Sequence, residues 1–188
     1  MISETGFWKI EGAKFDKEHI YDPRLSAAIM VLANSKGVKA TYDFGCGHGS
    51  YTADFIDSGI KCTGYDGNPI TSSIANCSVQ DLTDATWQIE PVEFLLCIEV
   101  CEHVPQSYEK QLLDTITRHV TPKGTVVISW AVPGQGGLGH VNCQPNKYVI
   151  ETFKRLGFLY NEEESEFLRK ASKEPWFKNT LLVFQRSV

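Results

Sequence analysis

The chain has 188 residues, 42% hydrophobic and 22% charged, with a formal net charge of −5. This composition supports a packed core in a single domain and excludes a disordered or disulfide-stapled chain. The acidic balance argues against broad sequence-independent affinity for nucleic acid, which depends on neutralising phosphates.

No apolar run reaches the about 20 residues that cross a bilayer. "MISETGFWKIEG" lacks the basic start and apolar core of a secretory signal. Cys46, Cys62, Cys77, Cys97, Cys101 and Cys143 are scattered, with no C-x-x-C pair. A zinc ribbon is therefore not expected, and a reducing, cytoplasmic setting is.

In chain order, the segment with Phe7, Trp8 and Tyr21 comes first; residues 1–22 form either a lid or a flank cover. "DPRLSAAIMVLANSKG" opens on Asp22 as cap and Pro23 in the first turn, and stops at Gly37, with Leu25, Ile29 and Leu32 as an apolar stripe. "KATYDFG" predicts a strand, "SYTADFIDSG" a helix, "IKCTGYD" a strand and "NPITSSIA" a short helix capped by Asn68. "SVQDL" predicts a third strand and "VEFLLCI" a buried fourth. "QSYEKQLLDTITRHV" is an amphipathic helix with Leu112, Leu113 and Ile116 inward; "GTVVISWAV" is a fifth strand and "NKYVIETFKRLG" a helix. "FLYNEE" and "NTLLVFQRS" read as two last strands. Arg169, Lys170, Lys173 and Lys178, with Trp176 and Phe177 between them, read as a solvated helix end and loop.

Alternating strands and helices predict an α/β fold, an open, mostly parallel sheet with helices on both faces. Such sheets bind ligands at the carboxyl ends of their strands. There "DFGCGHGS" places Gly45, Gly47 and Gly49 in G-x-G-x-G spacing between a strand and a helix, where a ligand can approach bare backbone and helix-start N–H groups. Ser50 stands where a dinucleotide fold wants its third glycine. Asp66, about 20 residues on, is placed to accept from ribose hydroxyls. Asp81 in "VQDLT" can accept from an adenine amino group, with Leu82 supplying an N–H and an apolar face. Separately, Asp66 also reads as a turn-former and Asp81 as a loop cap.

"DFGCGHGSYT", "GYDGN", "VQDL" and "FLLCIEVCEHVP" together resemble, in order and spacing over residues 41–105, the class I S-adenosylmethionine-dependent methyltransferases; "KGTVVISWAVP" continues the likeness. The resemblance implies a Rossmann-like seven-stranded sheet with an antiparallel last strand. It implies that Gly45 and Gly47 make room for the methionine portion of S-adenosylmethionine and Asp43 positions its amino group. Asp66 then holds the ribose, Asp81 and Leu82 frame the adenine, and Ile98 or Glu99 flanks the cofactor.

Glu99, Glu102 and His103 in "CIEVCEHVP" are spaced i, i+3, i+4, which on a helical turn puts them on one face. Two carboxylates and an imidazole suit Mg²⁺ or Mn²⁺; His140 in "GLGHVN" follows the fifth strand and can join them. E-x-x-E-H with a later histidine is similar to the metal site of small-RNA 2′-O-methyltransferases, and E-x-x-E-H also to ubiquinone-pathway O-methyltransferases. The RNA-binding extensions of the former and a substrate signature of the latter are not seen. The metal-free alternative makes His103 a base or a capping residue. His103, Glu102 and His140 are the catalytic candidates.

The expected activity is methyl transfer to a small-molecule or sugar hydroxyl, with RNA and protein acceptors left open, and with the glycine-rich loop from Pro133 to Pro145 covering the acceptor. The alternatives are a non-catalytic subunit of the same fold and a nicotinamide-dependent oxidoreductase; Ser50 and the lack of a matching lysine–tyrosine pair disfavour the latter.

Overall fold

The computed structural model describes residues 1–12 and 19–187. The strands are β1 (Ala40–Phe44), β2 (Lys61–Asp66), β3 (Cys77–Val79), β4 (Val92–Cys97), β5 (Val120–Ser129), β6 (Phe158–Tyr160) and β7 (Leu181–Arg186). Among the described residues the α-helices are α1 (Pro23–Ser35), α2 (Ser50–Asp57), α3 (Gln106–Arg118), α4 (Asn146–Arg155), α5 (Glu162–Ala171) and the single turn α6 (Phe177–Thr180), and the short helix expected after Asn68 is a 3₁₀ turn over Pro69–Ser73. They build one seven-stranded sheet of order β3-β2-β1-β4-β5-β7-β6. Pairing is parallel from β3 to β5, and β7 is antiparallel to both β5 and β6. The expected sheet is present, and its last strand in sequence, β7, is the antiparallel one, inserted between β5 and β6.

A strand turns successive side chains to opposite faces, and each face carries its own core. Phe94, Leu96, Val127, Leu181 and Val183 meet Leu25 and Ile29 of α1, Phe55 of α2 and Leu168 of α5. Leu95, Cys97, Val126, Ile128, Leu182 and Phe184 meet Leu112, Leu113 and Ile116 of α3 and Val149 and Phe153 of α4. The helices therefore cover both faces, as expected.

Local chemistry sets the ends of these elements. Asp22 Oδ1 accepts from the N–H groups of Arg24 and Leu25 and caps α1. Its other oxygen accepts from Ser172 Oγ and the Lys173 N–H, so one buried carboxylate also ties down the loop after α5.

Three sequence expectations are corrected. "FLYNEE" is a strand only to Tyr160, after which Asn161 caps α5. "SVQDL" leaves the sheet at Val79, so Asp81 sits in a loop. Trp176 and Phe177 do not belong to a solvated end: Phe177 is fully buried and Trp176 packs on the α1 core.

After β3 the chain crosses over β2 and β1 to enter β4. The carboxyl ends of β1 and β4, side by side at this switch point, release Gly45 and Ile98 into one crevice. Open α/β sheets bind their ligands in such a crevice.

Candidate active site

The turn from β1 to α2 is built against β2: the N–H groups of Gly45 and Cys46 both donate to the Tyr65 carbonyl. Gly45 has φ +77°, and a Cβ there would come within 2.2 Å of Val100 Cγ2. Gly47 has φ +50°, and a Cβ there would meet the His19 ring at 2.3 Å. Both positions thus need glycine for backbone and for space. The neighbours that use this space are side chains of the protein, from the loop after β4 and from the N-terminal segment.

Asp43, Gly45, Gly47, Asp66, Asp81, Leu82, Ile98 and Glu99 all line one cavity of about 310 Å³, at the small end of the range of ligand pockets. Asp66 is oriented by two backbone donors, Gly47 at 3.2 Å and Asn68 at 2.8 Å. Asp81 Oδ1 accepts from the N–H and hydroxyl of Thr83, and its Oδ2 accepts from Thr5 Oγ1 at 2.8 Å. Asp43 lies deeper, 3% exposed, and accepts from Thr52 Oγ1. Burial pushes its carboxyl up to about 7; the Thr52 bond opposes this and Asp66 reinforces it.

The second group follows β4. The expected turn begins only after Glu99, where the N–H groups of His103 and Val104 donate to the Val100 and Cys101 carbonyls. Glu99 takes φ +54°, a left-handed conformation uncommon for a non-glycine residue. Its carboxylate is bound by Ser129 Oγ at 2.6 Å, at the end of β5. Glu99 stays a neighbour of Glu102 but does not join the group, and the ligand atoms that gather are those of Glu102, His103 and His140, all within 4.8 Å of one another.

His140 reaches this point because the loop from 133 to 145 is pinned. The N–H groups of Val141 and Asn142 both donate to the Glu102 carbonyl. Asn142 Nδ2 donates to buried Glu109 of α3, and the Asn142 carbonyl accepts from the Trp130 indole.

Glu102 is fully buried, and neither carboxylate oxygen has a hydrogen-bond partner among the described residues. Burial and the neighbouring Glu99 hold its carboxyl well above the usual range. Burial and then His140 push the His103 imidazole down to about 4, so it is neutral at ordinary pH. Its Nδ1 is buried and unpartnered. His140 Nδ1 lies 3.1 Å from the Gln135 carbonyl; a proton there leaves Nε2 with a lone pair, the arrangement common in metal-ligating histidines. A buried, unpartnered carboxyl group beside two imidazoles offers the oxygen and nitrogen donors that suit a divalent cation.

The sequence did not decide where the N-terminal segment lies. Its residues 13–18 fall outside the described residues, but residues 1–9 form a small hairpin over the cavity. Thr5, Gly6, Phe7, Trp8 and His19 line it, and the Tyr108 hydroxyl donates to Glu4 at 3.0 Å. His48, Trp176 and Phe177 also line the cavity. Apart from the aromatic residues near the start, no sequence signal marks these as site residues.

The sheet order, with its crevice at the switch point, is the frame of the class I S-adenosylmethionine-dependent methyltransferases. The family model described as a methyltransferase domain matches residues 18–159, and the chain belongs to that family. No curated protein matches the chain in sequence. Among solved structures, the fold is similar to that of Burkholderia thailandensis 1,6-didemethyltoxoflavin-N1-methyltransferase with bound 1,6-didemethyltoxoflavin and S-adenosylhomocysteine. That likeness has 16% identity and a TM-score of 0.63, and covers 94% of this chain and 82% of that one. It is also similar to Synechocystis PCC 6803 magnesium protoporphyrin IX methyltransferase with bound S-adenosylhomocysteine, at 14% identity and TM-score 0.64, covering 86% and 82%. The methyltransferase domain of bacterial CtHen1-C has 17% identity and a TM-score of 0.63, covering 93% and 100%. At such identities the likeness is one of fold. Among the described residues no helix is long and apolar enough to cross a membrane.

Proposed function

We propose that this protein transfers the methyl group of S-adenosylmethionine to a hydroxyl of a small molecule or sugar, with Glu102, His103 and His140 holding one divalent cation beside the acceptor. The observation that carries this reading is the meeting of those three side chains, with both Glu102 oxygens buried and unpartnered, where His103 and His140 line the same cavity as Asp66 and Asp81.

In this reading Asp43 faces the amino group of the cofactor and Asp66, preset by the Gly47 and Asn68 N–H groups, accepts from the ribose hydroxyls. Asp81 and Leu82 frame the adenine, and Ile98 and Glu99 flank the cofactor. S-adenosylmethionine supplies an electrophilic methyl on a good leaving group, so the main task of the chain is alignment of the acceptor in line with it. A divalent cation, when bound, polarises an acceptor oxygen and lowers its pKa. Neutral His103 keeps a lone pair available, and the pinned 133–145 loop holds His140 in reach and shields the site from water. The six cysteines are all free, which supports a reducing compartment, the cytoplasm, as the location.

The test uses labelled S-adenosylmethionine with cell extract divided into small-molecule, RNA and protein fractions. Label should enter the small-molecule fraction, and chelation should stop it. Label only in RNA or protein would move the acceptor to that class. No label in any fraction, with the cofactor bound, would favour a non-catalytic subunit.

A further inference from the structure

The N-terminal hairpin is seated on the mouth of the cavity at the point where the 133–145 loop arrives. Ile2 bridges to Trp8 across it. Its backbone at Gly6 lies so close to the His103 carbonyl that a Cβ there would come to 2.2 Å. This holds the Trp8 indole edge-on to two imidazoles, with ring centroids 5.0 Å from His103 and 5.1 Å from His19. A Cβ placed on Gly139 would be 3.4 Å from His103 Nδ1 and equally 3.4 Å from Trp8 Nε1. The two ring nitrogens therefore flank one spot beside Gly139, which Ile2 Cδ1 also approaches, to 2.8 Å, while Trp8 and His103 themselves line the cavity. Both are buried, and neither has a hydrogen-bond partner among the described residues. Trp130 shows the contrast: its indole N–H is buried and satisfied by the Asn142 carbonyl at 2.6 Å.

Unpartnered buried polar atoms are rare and costly, and these differ in what they ask for. Glu102 and His103 offer lone pairs and are satisfied by a cation or a proton donor. An indole N–H is a donor only; a cation cannot satisfy it. It requires a lone pair, and on this wall the guest that brings one is the methyl acceptor.

We propose that Trp8 is an acceptor-binding residue whose indole N–H donates to an oxygen of the substrate held between the N-terminal hairpin and the 133–145 loop. The contact selects for oxygen-bearing acceptors. A protonated amine brings only hydrogens to this wall and leaves the indole unpartnered. The inference rests on the methyl-transfer reading of the cavity. It does not require that a metal be present.

The protein labelled with ¹⁵N at its tryptophans has four indole signals, one per tryptophan, and Trp8→Phe identifies the signal of Trp8 by its loss. S-adenosylhomocysteine binding is first measured by calorimetry. The saturated complex, with Mg²⁺, is then titrated with catechol, which carries two hydroxyls, or with benzylamine, which is protonated at neutral pH. The Trp8 signal should move downfield with catechol and stay with benzylamine, while Trp130 stays with both. Trp8→Phe removes the indole N–H and should bind catechol about ten-fold more weakly, with unchanged S-adenosylhomocysteine affinity and no fall in melting temperature. A Trp8 signal that ignores catechol, or answers both probes alike, overturns the assignment. Failure of the protein to bind S-adenosylhomocysteine would instead overturn the methyl-transfer reading.

Discussion

Asn142 and Glu109, thirty-three residues apart, share a buried hydrogen bond of 2.9 Å in which the amide donates to the carboxylate. This bond joins the loop that carries His140 to helix α3, which follows the turn carrying Glu102 and His103. Asn142→Ala should cost about 1–3 kcal/mol, because Glu109 stays buried with one donor fewer. Asn142→Asp should cost more, since two carboxylates then share the pocket. Urea titration reads both. Label transfer from S-adenosylmethionine should fall further than affinity for S-adenosylhomocysteine, and an equal fall in both would show that the loop serves the fold rather than the acceptor.

Asp66→Ala removes the proposed acceptor of the ribose hydroxyls. Loss of a charged hydrogen-bond partner is worth about 1.5–3 kcal/mol, or roughly ten- to over a hundredfold in affinity. Calorimetry with S-adenosylhomocysteine measures it. NADH should give no heat with either protein; binding of NADH in place of S-adenosylhomocysteine would return the oxidoreductase reading.

Asp43 makes a prediction about pH. Its folded-state pKa of about 7 lies above the ordinary carboxylate value, so the folded protein holds that proton more tightly than the unfolded chain. The stabilisation is present at low pH and is lost as pH rises from about 4 to about 7. Asp43→Asn should flatten this part of the curve. Its melting temperature relative to the parent should be higher at pH 8 than at pH 5, by several degrees, or about 2–3 kcal/mol. A difference independent of pH would show that Asp43 is ionised throughout.

For the cation, Glu102→Gln keeps the volume and removes the charge. Mn²⁺ affinity, read from the electron paramagnetic resonance of the free ion, should fall at least about tenfold. Full methyl transfer by chelated protein would overturn the proposed site whatever the variant does.

The frame was legible because its signals are local. "VEFLLCI" and "GTVVISWAV" are apolar enough to be buried on both faces, and Asp22-Pro23 marks the start of α1 through its own cap. Helix α5 was missed because it buries little: only Ser165 and Leu168 are buried, and its acidic first turn resembles the end of a strand. The adjacency of Glu102 and His103 showed in the sequence. The departure of Glu99 did not, since its left-handed backbone and its bond to Ser129 depend on a strand thirty residues away. Thr5, Trp8 and Trp176 reach the cavity from opposite ends of the chain, by contacts that no short spacing encodes.

Strand β7 gives this fold an order of assembly. It is inserted between β5 and β6, and its Leu181, Leu182, Val183 and Phe184, each with no exposed surface, close the two cores alternately. On the ribosome, every acid, glycine and histidine of the proposed site emerges before this strand does. The nascent chain would then carry the site on a sheet that stops at an open β5 edge, with two apolar layers uncovered. Such a chain is prone to aggregate and is a natural client for a holding chaperone. A stop codon ahead of Leu181 would thus yield a polypeptide that retains every ligand-binding side chain proposed above and still fails to fold.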